Sequence, residues 1–360
     1  MARMLGDAAQ RWAAGRYALA QRRPLLELPG GFSAEHWREQ AEMGWLALRL
    51  PETHGGLDAD PMAIGALMEV VGSHLLMEPI LASAIVATGL VVRLASESQR
   101  TALAPRLATG GLKLGFTGAP AGCEWRDGAL HGKMSAVLHG DVADQLLVAA
   151  NDARHRQTVL LLVDAQGLGV QCQRYRLVDG RGAANLEFRG AAGEPLVAGP
   201  AADAAIEAAL QEATAALCAE ALGIMRALVA ATCEYLKLRQ QFGRAIGNNQ
   251  VLQHRVVEMF VLQEEAAALT AHAQQALVGP ARERAQAVSA AKAYIARAAR
   301  QVANEAVQMH GGVGITDELA VSHHFRRLMV NAALFGSRDE HFACYLSHAQ
   351  ACVGHGEPQE

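Results

Sequence analysis

Arg239-Gln240-Gln241-Phe242-Gly243-Arg244-Ala245-Ile246-Gly247-Asn248-Asn249-Gln250 decides the fold. Upstream of it, Ile206 to Leu238 is rich in Ala, Leu and Glu and free of proline, the composition of a long helix. Downstream, Val251, Val256, Val257 and Phe260 recur as the apolar positions of a second helix. Residues 239–250 therefore predict a helix-loop-helix corner. The corner carries a cation, a ring that can stack, a glycine for close approach and an amide. Such groups hold a phosphate-bearing ligand with a flat ring. Taken alone, a capped helix hairpin explains the same residues.

A second stretch, Gln308-Met309-His310-Gly311-Gly312-Val313-Gly314-Ile315, closes another Ala-rich helical segment. Arg-x-x-Phe-Gly-x-x-Ile-x-x-x-Gln followed by Gln-x-x-Gly-Gly-x-Gly resembles the acyl-CoA dehydrogenase family of flavoenzymes. The resemblance implies FAD held by Arg239, Phe242 and Gln250 of one subunit together with Gln308, Gly311 and Gly312 of a neighbour. A homo- or hetero-oligomer follows from that sharing.

The chain has 360 residues, 51% of them hydrophobic but only 5% aromatic. Alanine makes the difference, which favours closely packed helices; the length suits roughly two to three domains. The net charge of −4 comes without a basic block, which argues against nucleic acid. Met1–Leu28 has scattered arginines and no apolar core, so no signal peptide is expected. The apolar run Ile80–Val92 is too short for a membrane span. Cys123, Cys172, Cys218, Cys233, Cys344 and Cys352 show no CxxC spacing and read as reduced packing cysteines of a cytoplasmic protein.

The fold expected is α+β, mainly α. Residues 1–112 read as an N-terminal helical domain, 113–205 as a small middle β domain and 206–360 as a C-terminal helical bundle. Ser33 looks like an N-cap ahead of Trp37, and Leu50-Pro51-Glu52-Thr53-His54-Gly55-Gly56 is a loop. Gly44-Trp45, Pro51-Glu52, Gly55-Gly56 and Glu78-Pro79 also resemble the family's N-terminal signature. Short apolar runs at 114–117, 129–131, 145–150, 158–163, 170–175 and 184–188 predict strands, with 159–163 a buried one. Gly223 within the long helix predicts a close helix approach. Thr316-Asp317-Glu318 reads as the cap of a further helix. His323-His324 is adjacent rather than at i,i+4, so it suits a solvated helix face and no metal site.

By resemblance, flavin-facing residues of the β domain lie in 115–122, chiefly Phe116 and Thr117, and in 132–137. Here the sequence departs from the family. Gly118 stands for a glutamate, a Ser-Asp pair is missing, Ser135 replaces a tryptophan and Val137 a threonine. The catalytic base is also missing. The family removes the α proton of an acyl-CoA thioester with a desolvated carboxylate while the β hydride passes to flavin. The usual place for that glutamate reads Phe335, and the place used by some relatives reads Ala213. Glu212, Asp339 and Glu340 are the nearest carboxylates, with Arg338 and His341 suggesting a solvated salt-bridge cluster around the last two. The pattern resembles the base-lacking partner subunit of hetero-oligomeric members, which act on unusual acyl groups such as steroid side chains. An electron acceptor such as an electron-transfer flavoprotein is implied. Two alternatives remain: a self-sufficient dehydrogenase or oxidase with a displaced base, and a scaffold that has lost its flavin.

Overall fold

The computed structural model describes residues 1–118, 120 and 122–353, the last four by backbone alone. Ala119 of the 115–122 loop, Ala121 and the Cys352 side chain therefore lie outside the described residues, as do residues 354–360. The helices are α1 (Ala2–Arg16), α2 (Leu19–Leu25), α3 (Ala34–Glu42), α4 (Pro61–His74), α5 (Thr88–Leu94), α6 (Glu97–Ala108), α7 (Pro200–Leu238), α8 (Gln250–Ala276), α9 (Ala281–His310), α10 (Ala320–Ala333) and α11 (Arg338–Val353). The strands are β1 (Leu114–Phe116), β2 (Cys123–Arg126), β3 (Ala129–Leu138), β4 (Gln145–Asp152), β5 (Gln157–Asp164), β6 (Val170–Arg176), β7 (Gly182–Ala191) and β8 (Glu194–Ala198). A two-residue ribbon, β9 (Gln240–Gln241) with β10 (Arg244–Ala245), lies in the corner between α7 and α8. Contacts divide the chain into two compact units: Arg22–Asp60 with Met77–Ala213, and Met1–Gln21 with Pro61–Leu76 and Thr214–Glu360.

In the first of these units α3 begins as its sequence dictates. Ser33 Oγ accepts from the His36 N–H at 3.2 Å, and Trp37 is buried. Gly44, at φ +79°, stops the helix. Residues Ile80–Ala87 form a π-helical run ahead of α5 and are buried throughout. The sheet has the order β6-β7-β3-β2-β4-β5-β8, with β1 also on β4. It is mixed rather than antiparallel, because β1 and β2 both run parallel to β4. Asp127 and Gly128, at φ +51° and +76°, form the two-residue turn that joins β2 to β3. Leu146, Val148, Leu161, Val163 and Phe188 fill the sheet's core, so the buried strand expected at 159–163 is β5.

The other unit is a helical bundle around α7 and α9. Its closest crossing is made by glycine. A Cβ on Gly223 would lie 1.9 Å from the Glu69 carbonyl oxygen of α4, and one on Gly72 would lie 2.0 Å from that of Glu220. The packing role expected of Gly223 is therefore real. Beside the crossing, Arg226 pairs with Glu69, and the buried Arg327 donates to Glu220 at 3.0 Å and to the Leu76 carbonyl at 2.8 Å. An 18-residue window of α7 reaches a mean hydropathy of 1.6, enough to cross a membrane by length and composition; 72% of it is buried within the fold, as in a core helix.

Two expectations fail here. His323 and His324 are buried, not on a solvated face: His324 Nε2 lies 3.0 Å from the Ser73 carbonyl oxygen and Nδ1 2.9 Å from that of Ala320, and the neutral ring donates to one of the two. Residues 316–318 supply no side-chain cap to α10, whose N-cap is Leu319. Thr316 instead donates to the Val313 carbonyl, and Asp317 pairs with Arg326.

Candidate functional site

The bundle unit carries the Arg239 corner. The Arg239 N–H closes the last turn of α7 on the Tyr235 carbonyl at 2.8 Å, and the Ile246 N–H returns to the Arg239 carbonyl at 2.9 Å. Phe242 and Gly243 form the tip of the ribbon at φ +51° and +77°. A left-handed phenylalanine is strained, and this one is fully exposed. A Cβ on Gly243 would meet nothing, so the residue serves the turn's conformation and not close approach. Close approach belongs to Gly247, where a Cβ would lie 2.8 Å from the Leu236 carbonyl oxygen. The Arg239 guanidinium is exposed and has no ion pair among the described residues; Gln250 opens α8, also exposed.

The Gly311 corner follows α9. Gly311 adopts φ +65°, and its N–H folds back on the carbonyls of Gln308 and Val307. Gln308, Gly311 and Gly312 are exposed, and a Cβ on either glycine would enter open space. Tyr235 touches both corners: its ring stacks on His310 with centroids 4.3 Å apart, and its hydroxyl donates to the His310 carbonyl at 3.3 Å. Tyr235 and His310 thus join the ends of α7 and α9 that carry the two corners.

The sheet unit holds Phe116 and Thr117, both partly exposed. The Ala149 N–H donates to Thr117 Oγ1 at 3.4 Å, which leaves the hydroxyl proton to donate. β3 bulges between Met134 and Val137, with Ala136 at φ +55° and its N–H on Asn185 Oδ1 at 3.1 Å. The extra residue changes the strand's phase. Ser135 is exposed, and Val137 turns into the core of the sheet. Val137 offers nothing to a ligand.

Phe335 sits at φ +57° in the turn between α10 and α11, and His341 Nε2 donates to its carbonyl at 2.9 Å. Burial lowers the His341 pKa, which keeps that ring neutral. Glu340 caps α11: its carboxylate accepts from the Ser337 N–H at 2.7 Å while its own N–H donates to Ser337 Oγ at 3.3 Å. Those bonds hold its carboxyl below the usual range, the opposite of a base's need. Among the described residues no ion pair joins Arg338 or His341 to the Asp339 or Glu340 carboxylate, and His341 turns toward Phe335 and Ser289. Asp339 is exposed in the first turn of α11. In the sheet unit, Glu212 accepts from Arg49 at 3.2 Å and from Arg93, and neighbouring Ala213 is fully buried. Both carboxylate oxygens of Glu212 are thus engaged by guanidinium groups.

Three other polar residues were missed. Glu78, read only as part of a fold signature, is a buried carboxylate bonded by Gln40 Nε2 at 3.0 Å with His36 beside it. Lys292 is buried in the bundle and donates to the Asn331 carbonyl at 2.6 Å; burial pushes it down to about 8. Nothing in its Ala-rich surroundings marks that position. Tyr235 stands one turn before Arg239, a spacing that was legible and unused. Among the described residues no group of His, Cys, Asp and Glu suits a metal ion.

The exposed, unpaired Arg239 and the open glycine corner fit an anionic dinucleotide, whereas the sheet unit offers a reduced set of ring contacts. Comparison with known proteins agrees. The acyl-CoA dehydrogenase N-terminal domain profile matches residues 2–111 and the C-terminal one residues 203–344. Together they span well over half the chain. Acyl-CoA dehydrogenase IpdE2 of Mycobacterium tuberculosis is 28% identical over 314 residues, covering 86% of this chain and 85% of its own. The Tcur3481–Tcur3483 steroid ACAD superposes with a TM-score of 0.88 at 24% identity over 98% of each chain. The ChsE4–ChsE5 complex from M. tuberculosis does so at 0.84 and 22%, over 99% of this chain and 98% of that one. At such identities the structural likeness is one of fold. The chain belongs to the acyl-CoA dehydrogenase family, whose cofactor is FAD.

Proposed function

We propose that this chain is the base-lacking subunit of a hetero-oligomeric acyl-CoA dehydrogenase, paired with a related chain that supplies the carboxylate. The observation that carries the reading is that Phe335 stands where the resemblance expects the base, its carbonyl bonded by His341, while Glu212 and Glu340 are bonded elsewhere. FAD, when bound, accepts the hydride from the β carbon of the acyl thioester. Arg239 binds its pyrophosphate, and Gln250, Gln308 and the amides around Gly311–Gly312 orient it. Phe242 supplies a stacking face, and Phe116 and Thr117 line the ring. The partner's carboxylate takes the α proton. An electron-transfer flavoprotein serves as acceptor.

Several observations support this reading. Leu238, Phe242, Val251, Val257, Phe260 and Ile315 are large apolar side chains exposed on the bundle unit, a set that a subunit interface would cover. Two of the proteins that share the fold are two-component complexes, one of them a steroid ACAD, which suggests a bulky, steroid-derived acyl group. The free thiols at Cys123, Cys172, Cys218, Cys233 and Cys344 suit a reducing cytoplasm.

Co-expression with a related chain that carries the glutamate tests the pairing. The complex should contain FAD and bleach on adding acyl-CoA, and replacing the partner's glutamate with glutamine should slow bleaching by about 10²–10⁴-fold. Arg239→Ala in this chain should weaken FAD binding by about 1.5–3 kcal/mol, the net worth of a charge-assisted contact. A complex that keeps full activity without the partner's glutamate would refute the assignment of roles.

A further inference from the structure

Tyr235 stands between the two corners and is bonded to both. Its carbonyl accepts the Arg239 N–H at 2.8 Å. Its hydroxyl donates to the His310 carbonyl at 3.3 Å, the last peptide oxygen before Gly311. Its ring lies on the His310 ring at 4.3 Å and 28°. His310 is buried and otherwise fixed: Nδ1 donates to the Ala306 carbonyl at 2.8 Å, one helical turn back. On its other side is Gly314, where a Cβ would come within 2.9 Å of both the His310 Cβ and the Val307 carbonyl oxygen. His310 is therefore held between the Tyr235 ring and Gly314. A Cβ on either glycine of the Gly311–Gly312 turn that follows would enter open space. Beside the Gly311 N–H on the Gln308 and Val307 carbonyls, the turn is backed by His310.

We infer that Tyr235 and His310 are a positioning pair that fixes the Gly311–Gly312 turn against the Arg239 guanidinium and so sets the spacing of one dinucleotide site. Neither residue touches the ligand. A guanidinium and a row of amides bind one anion together only when their separation matches it, and both corners are exposed loops with few anchors of their own. The stacked rings and the hydroxyl-carbonyl bond are the link that removes that freedom. The inference rests on FAD occupying these two corners.

The test uses the assembled protein, with the FAD dissociation constant measured by fluorescence titration. Tyr235→Phe keeps the ring and removes the hydroxyl, whereas Tyr235→Leu removes both. The affinity should fall in a graded way, the leucine variant losing about tenfold or more and the phenylalanine variant less. Hydrogen exchange of the 311–315 amides in the flavin-free protein should quicken in the same order. Combining Tyr235→Leu with Arg239→Ala should cost less than the two separate losses together, because a displaced turn matters less once the guanidinium is gone. A purely structural tyrosine would lower Tm and leave the affinity and this coupling unmoved. Unchanged affinity in Tyr235→Leu, or in Tyr235→Phe if the leucine variant does not fold, beside a clear loss in Arg239→Ala, overturns the positioning role alone. Unchanged affinity in Arg239→Ala as well overturns the flavin assignment and the pair with it.

Discussion

Phe335 holds a backbone conformation that a bulky residue keeps only when its surroundings enforce it. The enforcing contacts are the His341 ring on its carbonyl and the end of α10, where Lys292 holds the Asn331 carbonyl. Lys292 gives this region a pH signature. Its folded-state pKa, about 8, lies below the ordinary lysine value, so between the two the unfolded chain binds more protons and stability rises with pH. Buried Cys218 acts in the opposite sense: pushed up to about 12, it loses stability as pH climbs above the ordinary thiol range. The thiol already opposes the lysine near the ordinary thiol pKa of about 8.5, but it is present in wild type and Lys292→Met alike, so their difference between about pH 8 and 9 isolates the lysine. Over that unit, wild-type stability should rise by about 1 kcal/mol more than that of Lys292→Met, as read by urea unfolding at each pH. Equal slopes would show that Lys292 keeps an ordinary pKa.

The helices and strands differ in how far their own residues determine them. The crossing of α4 and α7 is decided by Gly72 and Gly223, and a Cβ at either meets backbone that no rotamer change can clear. Gly223→Val should destabilise the bundle unit by about 1–3 kcal/mol, seen as a lower Tm; an unchanged Tm would contradict the close approach. That glycine was legible in the sequence because it costs helix propensity without an evident local reason. So were the Ser33 cap and the helix-loop-helix corner at 239–250, each specified by a few neighbouring residues. What was not legible depends on distant partners. His323 and His324 look solvated until α4 supplies the Ser73 carbonyl, 251 residues away from His324. The bulge at Ala136 is stabilised by Asn185 on the neighbouring strand β7, and it inverts the faces of Ser135 and Val137. β2 and β8 escaped notice because Glu124 and Arg126 on one and Pro195 on the other hide any apolar alternation. The carboxylate next to the alternative base position was visible as Glu212, but its capture by Arg49 and Arg93 was not, since those residues lie far from it in the chain.

For the whole protein, the two units carry different parts of the family pattern. The bundle unit keeps the arginine and glycine corners that an anion would need, while Ser135 and Val137 stand where the resemblance expects ring contacts, and Phe335 and Ala213 where it expects the base. A chain that had simply lost function would have no reason to retain one half so completely, whereas a subunit working beside an active relative does. The decisive measurement is anaerobic stopped-flow reduction of the flavin in the purified single chain, reconstituted with FAD and mixed with acyl-CoA thioesters, steroid-derived ones included. The account predicts reduction slower by about 10²–10⁴-fold than in the complex with its glutamate-bearing partner. Rapid reduction in the single chain, abolished by replacing Glu212, Asp339 or Glu340, would contradict it and show that the base lies within this chain.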